Sequence, residues 1–412
     1  MKIFKLVISV ALVILMGAAA CARKKNYPNP PAYEGNVNNE FPIVASYAFY
    51  PPFITEQQFQ WAREAGFNIL RKSLDYSQID ECLKLASENH IYIMVCPWDI
   101  KDVGKIPEIV RRYKGNPNVW GYGVADEPVP SQFENLSEIV DKLEQLDPGK
   151  NSYINLLPED SPGRLQARSY QAYVEDYVET VNPPFLSVDS YPIRRDKNGK
   201  IYIEDGYFNS LWEIAKTAKA SSRPFWSYVL SVKHWMYPAP KEEFIRFQVF
   251  SALAFGAQGI NYFTYLMPDY DKGKGEYSDA PIDWNGNRTP TWFMVKNVNR
   301  EIRNLEKVFL GAEVIDINFT GNKIPSVGKK LRKPTKPLKK IDSDGAGLIV
   351  SRLRNDCKEY MLIVNRDVEN MQKVTLEFTK PVVNLFGNGS QRIYTDSIFN
   401  LEAGGYALFL LN

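Results

Sequence analysis

The sequence predicts an α/β fold: a (β/α)8 TIM barrel with a C-terminal all-β sandwich domain. Strand and helix patterns alternate eight times between residues 41 and 306, which predicts parallel strands joined by helical crossovers. Eight such units in about 265 residues fit a closed barrel, which typically has ~250 residues. Over residues 307–412 the pattern changes to short β-type runs separated by turn signals, which is typical of a small antiparallel sandwich.

The predicted barrel strands are apolar and rich in β-branched or aromatic residues. In order they span 42–49, 67–70, 91–96, 119–124, 152–157, 185–189, 224–230 and 260–266. The predicted helices carry apolar residues at helical spacing, and they span 55–65, 77–88, 106–113, 131–146, 170–181, 211–220, 242–255 and 292–305. Thr55 and Gln58 form a capping-box pattern at the first helix, and Gly66 ends it. A doubly wound open sheet is the competing fold, but no glycine-rich phosphate fingerprint follows the first strand.

The predicted sandwich strands span 346–351, 359–365, 372–378, 382–386, 397–401 and 406–411. They are separated by turn signals such as Gly387-Asn388-Gly389 and Gly404-Gly405. Ahead of them, residues 328–341 form a basic, proline-broken run, which we interpret as a solvated loop.

The chain is nearly balanced in charge, with 50 Lys and Arg against 48 Asp and Glu, so nothing indicates a nucleic-acid partner. With only two histidines, a His-based metal site is not expected, and no cofactor is predicted. Residues 1–21 have the pattern of an export signal: Lys2 and Lys5, then an apolar run too short to favour a membrane-spanning helix. Residues 22–40 are polar and proline-rich, which indicates a tether.

Small residues precede Cys21, and this placement resembles the lipobox of bacterial lipoproteins. The resemblance implies lipidation of Cys21 and a membrane anchor, on the periplasmic or the cell-surface face of the envelope. The alternative is an ordinary secretory signal whose cysteine is incidental. Either interpretation means that the protein is exported.

The most informative stretch is residues 115–128, where an apolar strand ends in Asp126-Glu127-Pro128. Pro128 stops the strand because it lacks an N–H group. In a (β/α)8 barrel the functional site lies at the carboxyl ends of the strands. Because strand side chains alternate, at most one of the two carboxylates faces the barrel mouth directly. The alternative is a surface turn with two solvated acids.

The run Asn116-Pro117-x-Val119-x-Gly121-Tyr122-x-x-x-Asp126-Glu127-Pro128 resembles the fourth-strand signature of clan A glycoside hydrolases, N-P-x-V-x-G-x-x-x-x-N-E-P. The resemblance implies that Glu127 is the general acid/base, with Asp126 replacing the usual Asn. Residues 66–71 resemble the second-strand motif, whose arginine, here Arg71, holds a catalytic carboxylate. Residues 246–268 resemble the corresponding segment of family 42 β-galactosidases. The whole is similar to the family 5 and family 42 superfamily.

Other candidate residues lie at or near the predicted strand ends, where they could contact a sugar through ring stacking or polar bonds. They are Trp98 and Asp99 after the third strand, Asp189 and Tyr191 after the sixth, Trp226, His234 and Trp235 on or after the seventh, and Tyr262 and Tyr265 on the eighth. The expected partner is therefore a carbohydrate substrate.

The seventh strand departs from the clan A pattern, because residues 226–235 contain no carboxylate where the family has its nucleophilic Glu. Three explanations remain open. In the first, another carboxylate, such as Asp189, takes the place of the nucleophile. In the second, the substrate's own acetamido group takes its place and Asp126 orients that group. In the third, the chain binds glycans without catalysis. If Asp189 acts as a base through water, a carboxyl separation of ~6.5–9.5 Å from Glu127 and inversion follow, whereas ~5–5.5 Å implies a nucleophile and retention. We favour inversion.

The sequence thus predicts hydrolysis of O-glycosidic bonds in an oligo- or polysaccharide, with Glu127 as general acid/base. The alternative is a non-catalytic glycan-binding lipoprotein of the cell envelope.

Overall fold

The computed structural model describes residues 27–33, 35, 37, 39–161 and 163–412. The predicted signal sequence and the lipidation of Cys21 therefore lie outside the described residues. Within them, no helix combines the length and the apolar character needed to cross a membrane.

Eight parallel strands form the barrel. They are β1 (Ile43–Ser46), β2 (Ile69–Arg71), β3 (Tyr92–Val95), β4 (Val119–Asp126), β5 (Asn151–Asn155), β6 (Leu186–Val188), β7 (Phe225–Leu230) and β8 (Ile260–Phe263). They pair in the order β5-β4-β3-β2-β1-β8-β7-β6. A parallel bridge between Leu156 and Val188 joins the two ends of this sheet, and the Leu156 N–H donates to the Ser187 carbonyl at 2.8 Å. The predicted barrel is confirmed.

A ring of eight helices surrounds the strands in the described chain: α1 (Glu56–Glu64), α2 (Tyr76–Asn89), α3 (Ile106–Tyr113), α4 (Phe133–Leu146), α5 (Tyr170–Val181), α6 (Asp205–Ala220), α7 (Glu242–Ala254) and α8 (Pro290–Phe309). The side chain of Thr55 caps α1 by accepting from the Gln58 N–H, as its position predicts. Gly66 follows α1 with a φ of +91°, and an added Cβ would lie 2.9 Å from Asn299 Cβ. Both the backbone and the packing therefore require glycine at this turn.

The interior of the barrel is closed at the amino ends of the strands by aromatic rings. Trp226 lies 4.7 Å from Phe185 and 4.9 Å from Trp120, measured between ring centroids. The Trp226 indole N–H donates to the hydroxyl of Tyr33 at 2.7 Å, and Val37 packs into the same cluster. Within residues 22–40, which the sequence predicts as a tether, Tyr33 and Val37 are thus held against the barrel by burial in this aromatic cluster.

The C-terminal strands are β9 (Glu313–Phe319), β10 (Leu338–Ser343), β11 (Leu348–Asn355), β12 (Lys358–Asn365), β13 (Gln372–Phe378), β14 (Val383–Leu385), β15 (Gln391–Ile393), β16 (Ile398–Leu401) and β17 (Tyr406–Leu410). One sheet has the order β9-β11-β12-β17-β14-β15 and the other β10-β13-β16, all antiparallel. The predicted sandwich is confirmed as a fold class, although the sequence pattern did not identify β9, β10 or β15 as strands.

The larger sheet packs on helices α7 and α8 of the barrel. The Ser351 hydroxyl donates to the Ala254 carbonyl at 2.7 Å, and the Asn355 amide donates to the Leu310 carbonyl at 2.8 Å. The rings of Phe250 and Tyr406 stack between the two parts. Apolar residues of this sheet belong to the same buried cluster as the barrel helices, so the interface continues the hydrophobic core.

Candidate functional site

The candidate site begins at the carboxyl end of β4, where the backbone is strained. Glu127 has a φ of +49°, a region that residues other than glycine rarely adopt. Its N–H donates to the Asn155 carbonyl at 2.8 Å, which holds this conformation against β5. The pairing of β4 with β5 also shifts register between Gly123 and Ala125. Such bulges and strained residues concentrate at functional sites, where they redirect a side chain.

Asp126 is bonded to a buried amide below it. The Asn155 side chain donates to Asp126 Oδ1 at 3.2 Å, and the Ser187 hydroxyl donates to Asn155 Oδ1 at 3.1 Å. Asn155 is fully buried, so these two bonds fix its orientation. Asp126 itself remains exposed at the mouth, where its carboxylate is held from one side and open to solvent on the other.

Glu127 forms an ion pair with Arg164, which lies on the loop before α5. Arg164 Nη2 lies 2.8 Å from Glu127 Oε2, and 27% of the Glu127 side chain is exposed. The guanidinium is itself half exposed, so this pair borders solvent. Sequence reasoning did not identify Arg164, because it lies in a loop without a motif.

Asp189 follows β6 and has a different environment. The residue is partly exposed, but its Oδ1 atom is buried and has no hydrogen-bond partner. Burial, and then the nearby charges of Glu127 and Asp126, raise the pKa of Asp189 well above its ordinary value. Because Asp189 directly follows β6, it lies at the same carboxyl end of the barrel as the two β4 carboxylates.

Arg71 ends β2 and contacts a tyrosine of the seventh strand. Its Nη1 donates to the Tyr228 hydroxyl at 3.2 Å, and its Nη2 lies 3.8 Å from Asp126 Oδ1. Ser46 and Tyr153 also bond the Tyr228 hydroxyl. Among the described residues, the carboxylate nearest to Arg71 is thus Asp126, at ion-pair distance and without the hydrogen bond that the resemblance implies.

An aromatic rim surrounds His234 beside these groups. The His234 ring stacks on Tyr277 with centroids 4.6 Å apart and planes 8° apart, and Trp235, Tyr237 and Phe263 also contact it. Burial lowers the pKa of His234 to about 4, although a hydrogen bond to the Val232 backbone raises it. His234 is therefore neutral at physiological pH.

A second part of the rim lies over β1. Lys72 Nζ lies 3.7 Å from the centroid of the Tyr47 ring and 3.3 Å from Asp269 Oδ1. Tyr270 contacts both Tyr47 and Tyr277, which joins the two parts of the rim. Sequence reasoning missed these residues, because most of them lie in the long loop after β8. The density of Tyr and Asp over residues 269–279 was the available signal.

Two of the predicted aromatic candidates are strongly exposed near the strand ends. Trp98, after β3, is 67% exposed, and Trp235, after β7, is 65% exposed. Tyr191 lies nearer the interior, with its ring packed against Tyr237 and Phe263. An exposed indole face is the type of surface on which a sugar ring stacks.

Four other candidates need correction. Trp226, Tyr262 and Tyr265 are fully buried: Trp226 fills the barrel bottom, and the two tyrosines face the helices, where they bond Asn299 and Trp292. Alternation along β8 explains why Tyr262 points outward. The Tyr76 hydroxyl donates one bifurcated hydrogen bond to the Asp99 carboxylate, with oxygen–oxygen distances of 2.8 and 3.0 Å, so Asp99 faces α2.

Among the described side chains, no group of three or more His, Cys, Asp or Glu residues is arranged to hold a metal ion. The groups at the carboxyl end of the barrel are carboxylates, guanidinium groups, amides and aromatic rings.

No protein-family model matches the chain, and no curated protein matches it. Among solved structures, the chain is similar to Eubacterium rectale Amy13B with a TM-score of 0.51 and 12% identity, over 93% of this chain and 97% of that one. It is also similar to a β-galactosidase from the psychrophilic Marinomonas ef1, with a TM-score of 0.46 and 11% identity over 65% of this chain. A third is xylanase 10B from Thermotoga maritima, with a TM-score of 0.44 and 12% identity over 64% of this chain and 95% of that one.

The chain spans 60% of the length of the Marinomonas β-galactosidase. At these identities the similarity shows the fold alone. The Amy13B comparison extends over nearly the whole of both chains, which supports the two-part architecture. The similarity to Amy13B therefore extends to the whole fold of this chain.

Proposed function

We propose that this protein hydrolyses O-glycosidic bonds of an oligo- or polysaccharide at the carboxyl end of its barrel. The observation that carries the proposal is the group of carboxylates there: Asp126 and Glu127 at the end of β4, with Asp189 at the end of β6. Glycoside hydrolysis requires one carboxyl group that gives a proton to the leaving oxygen and another that activates water or attacks the sugar. Carboxyl groups in contrasting environments meet this requirement.

The family resemblance implies a role for Glu127, and the position of Asp189 at a strand end makes it the second carboxylate of the starting assignment. Glu127 is the general acid, Asp189 is the base that acts through water, and Asp126 orients the substrate. The bond from Asn155 and the proximity of Arg71 hold Asp126 in place for that role. Inversion at the anomeric carbon is the expected outcome of a base that acts through water.

The rings at the mouth supply substrate contacts. Trp98 and Trp235 offer exposed indole faces, and Tyr191 lies near Asp189 as a polar contact. His234 is almost fully buried, so it supports the ring of Trp235 and is not itself placed to contact the substrate. This surface has mixed charge and many aromatic rings, so it does not suit a highly charged ligand such as a nucleic acid. It suits a neutral, polyhydroxylated ligand.

One observation favours the second candidate function, glycan binding without turnover. Strand β7 carries Tyr228 where Arg71 would meet a carboxylate, and the tyrosine hydroxyl is already bonded to three neighbours. A barrel with tyrosine at this position retains the aromatic rings at its mouth but lacks the usual nucleophile.

A substrate panel distinguishes the two functions. Protein lacking residues 1–21 is incubated with polysaccharides and with aryl and alkyl glycosides of galactose, glucose, xylose, mannose and N-acetylglucosamine, and both sugar release and equilibrium binding are measured. Turnover supports hydrolysis, whereas saturable binding without turnover supports the binding function. Trp98→Ala should weaken either activity, while Tyr202→Ala, which removes an exposed ring of a short hairpin, serves as the matched control.

We further propose that the protein is exported and carries a lipid on Cys21. The support for this is the signal pattern of residues 1–21 and the tether-like residues that follow.

A further inference from the structure

The two carboxyl groups assigned to acid and base have opposite surroundings. Glu127 is paired with Arg164 at 2.8 Å and borders solvent. A guanidinium at hydrogen-bond distance stabilises a negative charge. The ion pair with Arg164 therefore suits Glu127 to the role of a base.

Asp189 has no cationic partner. Its Oδ1 is buried and receives no hydrogen bond, while the Asn155 side chain and one backbone N–H are the hydrogen-bond donors that favour its ionised form. In the described part of the chain, no Lys or Arg lies within 4.0 Å of its carboxyl group in an ion pair. A buried carboxylate without a cationic partner is costly, whereas a neutral carboxylic acid at the same place costs much less.

The groups that face Asp189 add to this preference. The β4 carboxylates Asp126 and Glu127 oppose a third negative charge, and burial together with these charges raises the pKa of Asp189. The tyrosines around it come from α5, from its own loop and from the loop after β7; they are Tyr170, Tyr173, Tyr191 and Tyr237. All four are neutral near pH 7, and the pKa of each is raised. The Asn155 amide, the group that favours the ionised form of Asp189, also donates to Asp126.

We infer that the roles are the reverse of the assignment above: Asp189 donates the proton, and Glu127 is the base. This inference rests on the proposed glycoside hydrolysis and assigns the roles within that same site. As the bond between the anomeric carbon and the glycosidic oxygen breaks, the Asp189 proton passes to that oxygen. Water attacks the anomeric carbon, and its proton passes to Glu127. Exchange with solvent then returns a proton to Asp189 and removes one from Glu127, so the sum is the addition of one water.

The reversal gives the strained geometry of Glu127 a function. A positive φ directs its side chain toward Arg164 on the β5–α5 loop, where the ion pair holds the base in one orientation. Arg164 is a positioning residue in this scheme, since it acts through Glu127.

A leaving-group series tests the assignment. The rates of wild type, Asp189→Asn and Glu127→Gln are compared on methyl and 2,4-dinitrophenyl glycosides of the same sugar. Loss of a proton donor should slow the methyl glycoside by ~10²–10⁴ and leave the dinitrophenyl glycoside near the wild-type rate, because that leaving group needs little protonation. We expect this pattern for Asp189→Asn, and a similar loss on both substrates for Glu127→Gln. Asp80→Asn, in an exposed ion pair on α2, is the control and should match wild type.

The opposite pattern, with selective loss in Glu127→Gln, overturns the inference and leaves hydrolysis at this site intact. Full activity of both variants instead shows that these carboxylates do not carry out the hydrolysis, so the function proposed for this site fails. A readout without substrate is the infrared difference spectrum between wild type and Asp189→Asn at pH 7. It should contain the C=O band of a protonated carboxylic acid, and a carboxylate band in its place refutes the assignment whatever the rates show.

Discussion

Because the imidazole of His234 is buried, we expect the protein to lose stability on mild acidification. The substitution His234→Phe should remove that loss. The ring stacks on Tyr277, is almost fully buried, and has an Nδ1 atom without a hydrogen-bond partner. Phenylalanine preserves the ring and its stacking but cannot take up a proton. The substitution therefore removes the titration and leaves the packing nearly unchanged.

The magnitude follows from the difference between the folded and unfolded states. Burial lowers the pKa of His234 from 6.5 to about 4. Between these values the unfolded chain binds the proton and the folded chain does not, so folding loses stability as the pH falls through this range. A shift of this size corresponds to about 3 kcal/mol at ~1.36 kcal/mol per pH unit. Attraction between a protonated ring and the face of Tyr277 would offset about 1 kcal/mol.

The assay is urea unfolding of wild type and His234→Phe at pH 7.0, 5.5 and 4.0. The difference in unfolding free energy between the two proteins should grow in favour of the variant as the pH falls, by about 2–3 kcal/mol in total. His90→Asn is the matched control, because it removes the other histidine, which is exposed and has a φ of +53° that asparagine tolerates. If the unfolding free energies of wild type and His234→Phe change in parallel with pH, the folded state does not keep the His234 imidazole neutral.

Three further predictions concern other parts of the chain. Radiolabelled palmitate should enter the wild type and not Cys21→Ser in cells, and equal labelling would reject lipidation at that residue. Limited proteolysis should cut first within residues 332–337. The residues on either side are protected, because residues 329–331 form backbone hydrogen bonds with Phe319 and β10 pairs with β13. Early cuts within the barrel strands would contradict this division of the chain. Asp189→Asn should be more stable than wild type, by a margin that widens as the pH rises above 3.8, the ordinary pKa of this group. The reason is that the folded state resists ionisation of the Asp189 carboxyl group, whereas the unfolded state does not. The same difference in unfolding free energy between the two proteins at pH 4 and pH 8 would show that Asp189 ionises freely.

The fold was predictable because its signal is repeated. Eight apolar strands and eight amphipathic helices each gave the same pattern, so a misplaced boundary did not change the architecture. Helix α6 illustrates the remaining error: it begins at Asp205, ahead of the apolar run from Leu211, because the acidic first turn complements the helix dipole. Strand β15 was missed because its three residues are all exposed, which leaves no alternation to detect.

The candidate site was predictable only where a residue ends a strand. Asp126, Glu127 and Asp189 lie at strand ends, and the structure places them at the same end of the barrel. Arg164 and Asp269 come from loops whose path depends on tertiary contacts, so sequence spacing gives no measure of their distance from Glu127 or Lys72.

Burial was the other quantity that the sequence did not give. Trp226 and Trp235 are both tryptophans near β7, yet one fills the barrel interior and the other is exposed. Trp226 packs inside the barrel on Trp120 and Phe185, and its indole N–H donates to Tyr33, which is distant in sequence.

The central claim is that the carboxyl groups at the ends of β4 and β6 hydrolyse a glycosidic bond. The most direct test is the initial rate of sugar release from the best glycan of the substrate panel, measured for wild type and for the double variant Glu127→Gln with Asp189→Asn. Loss of both acid and base should lower the rate by ~10³-fold or more, with glycan binding retained. A double variant that releases sugar at the wild-type rate would contradict the claim, whichever of the two residues gives the proton.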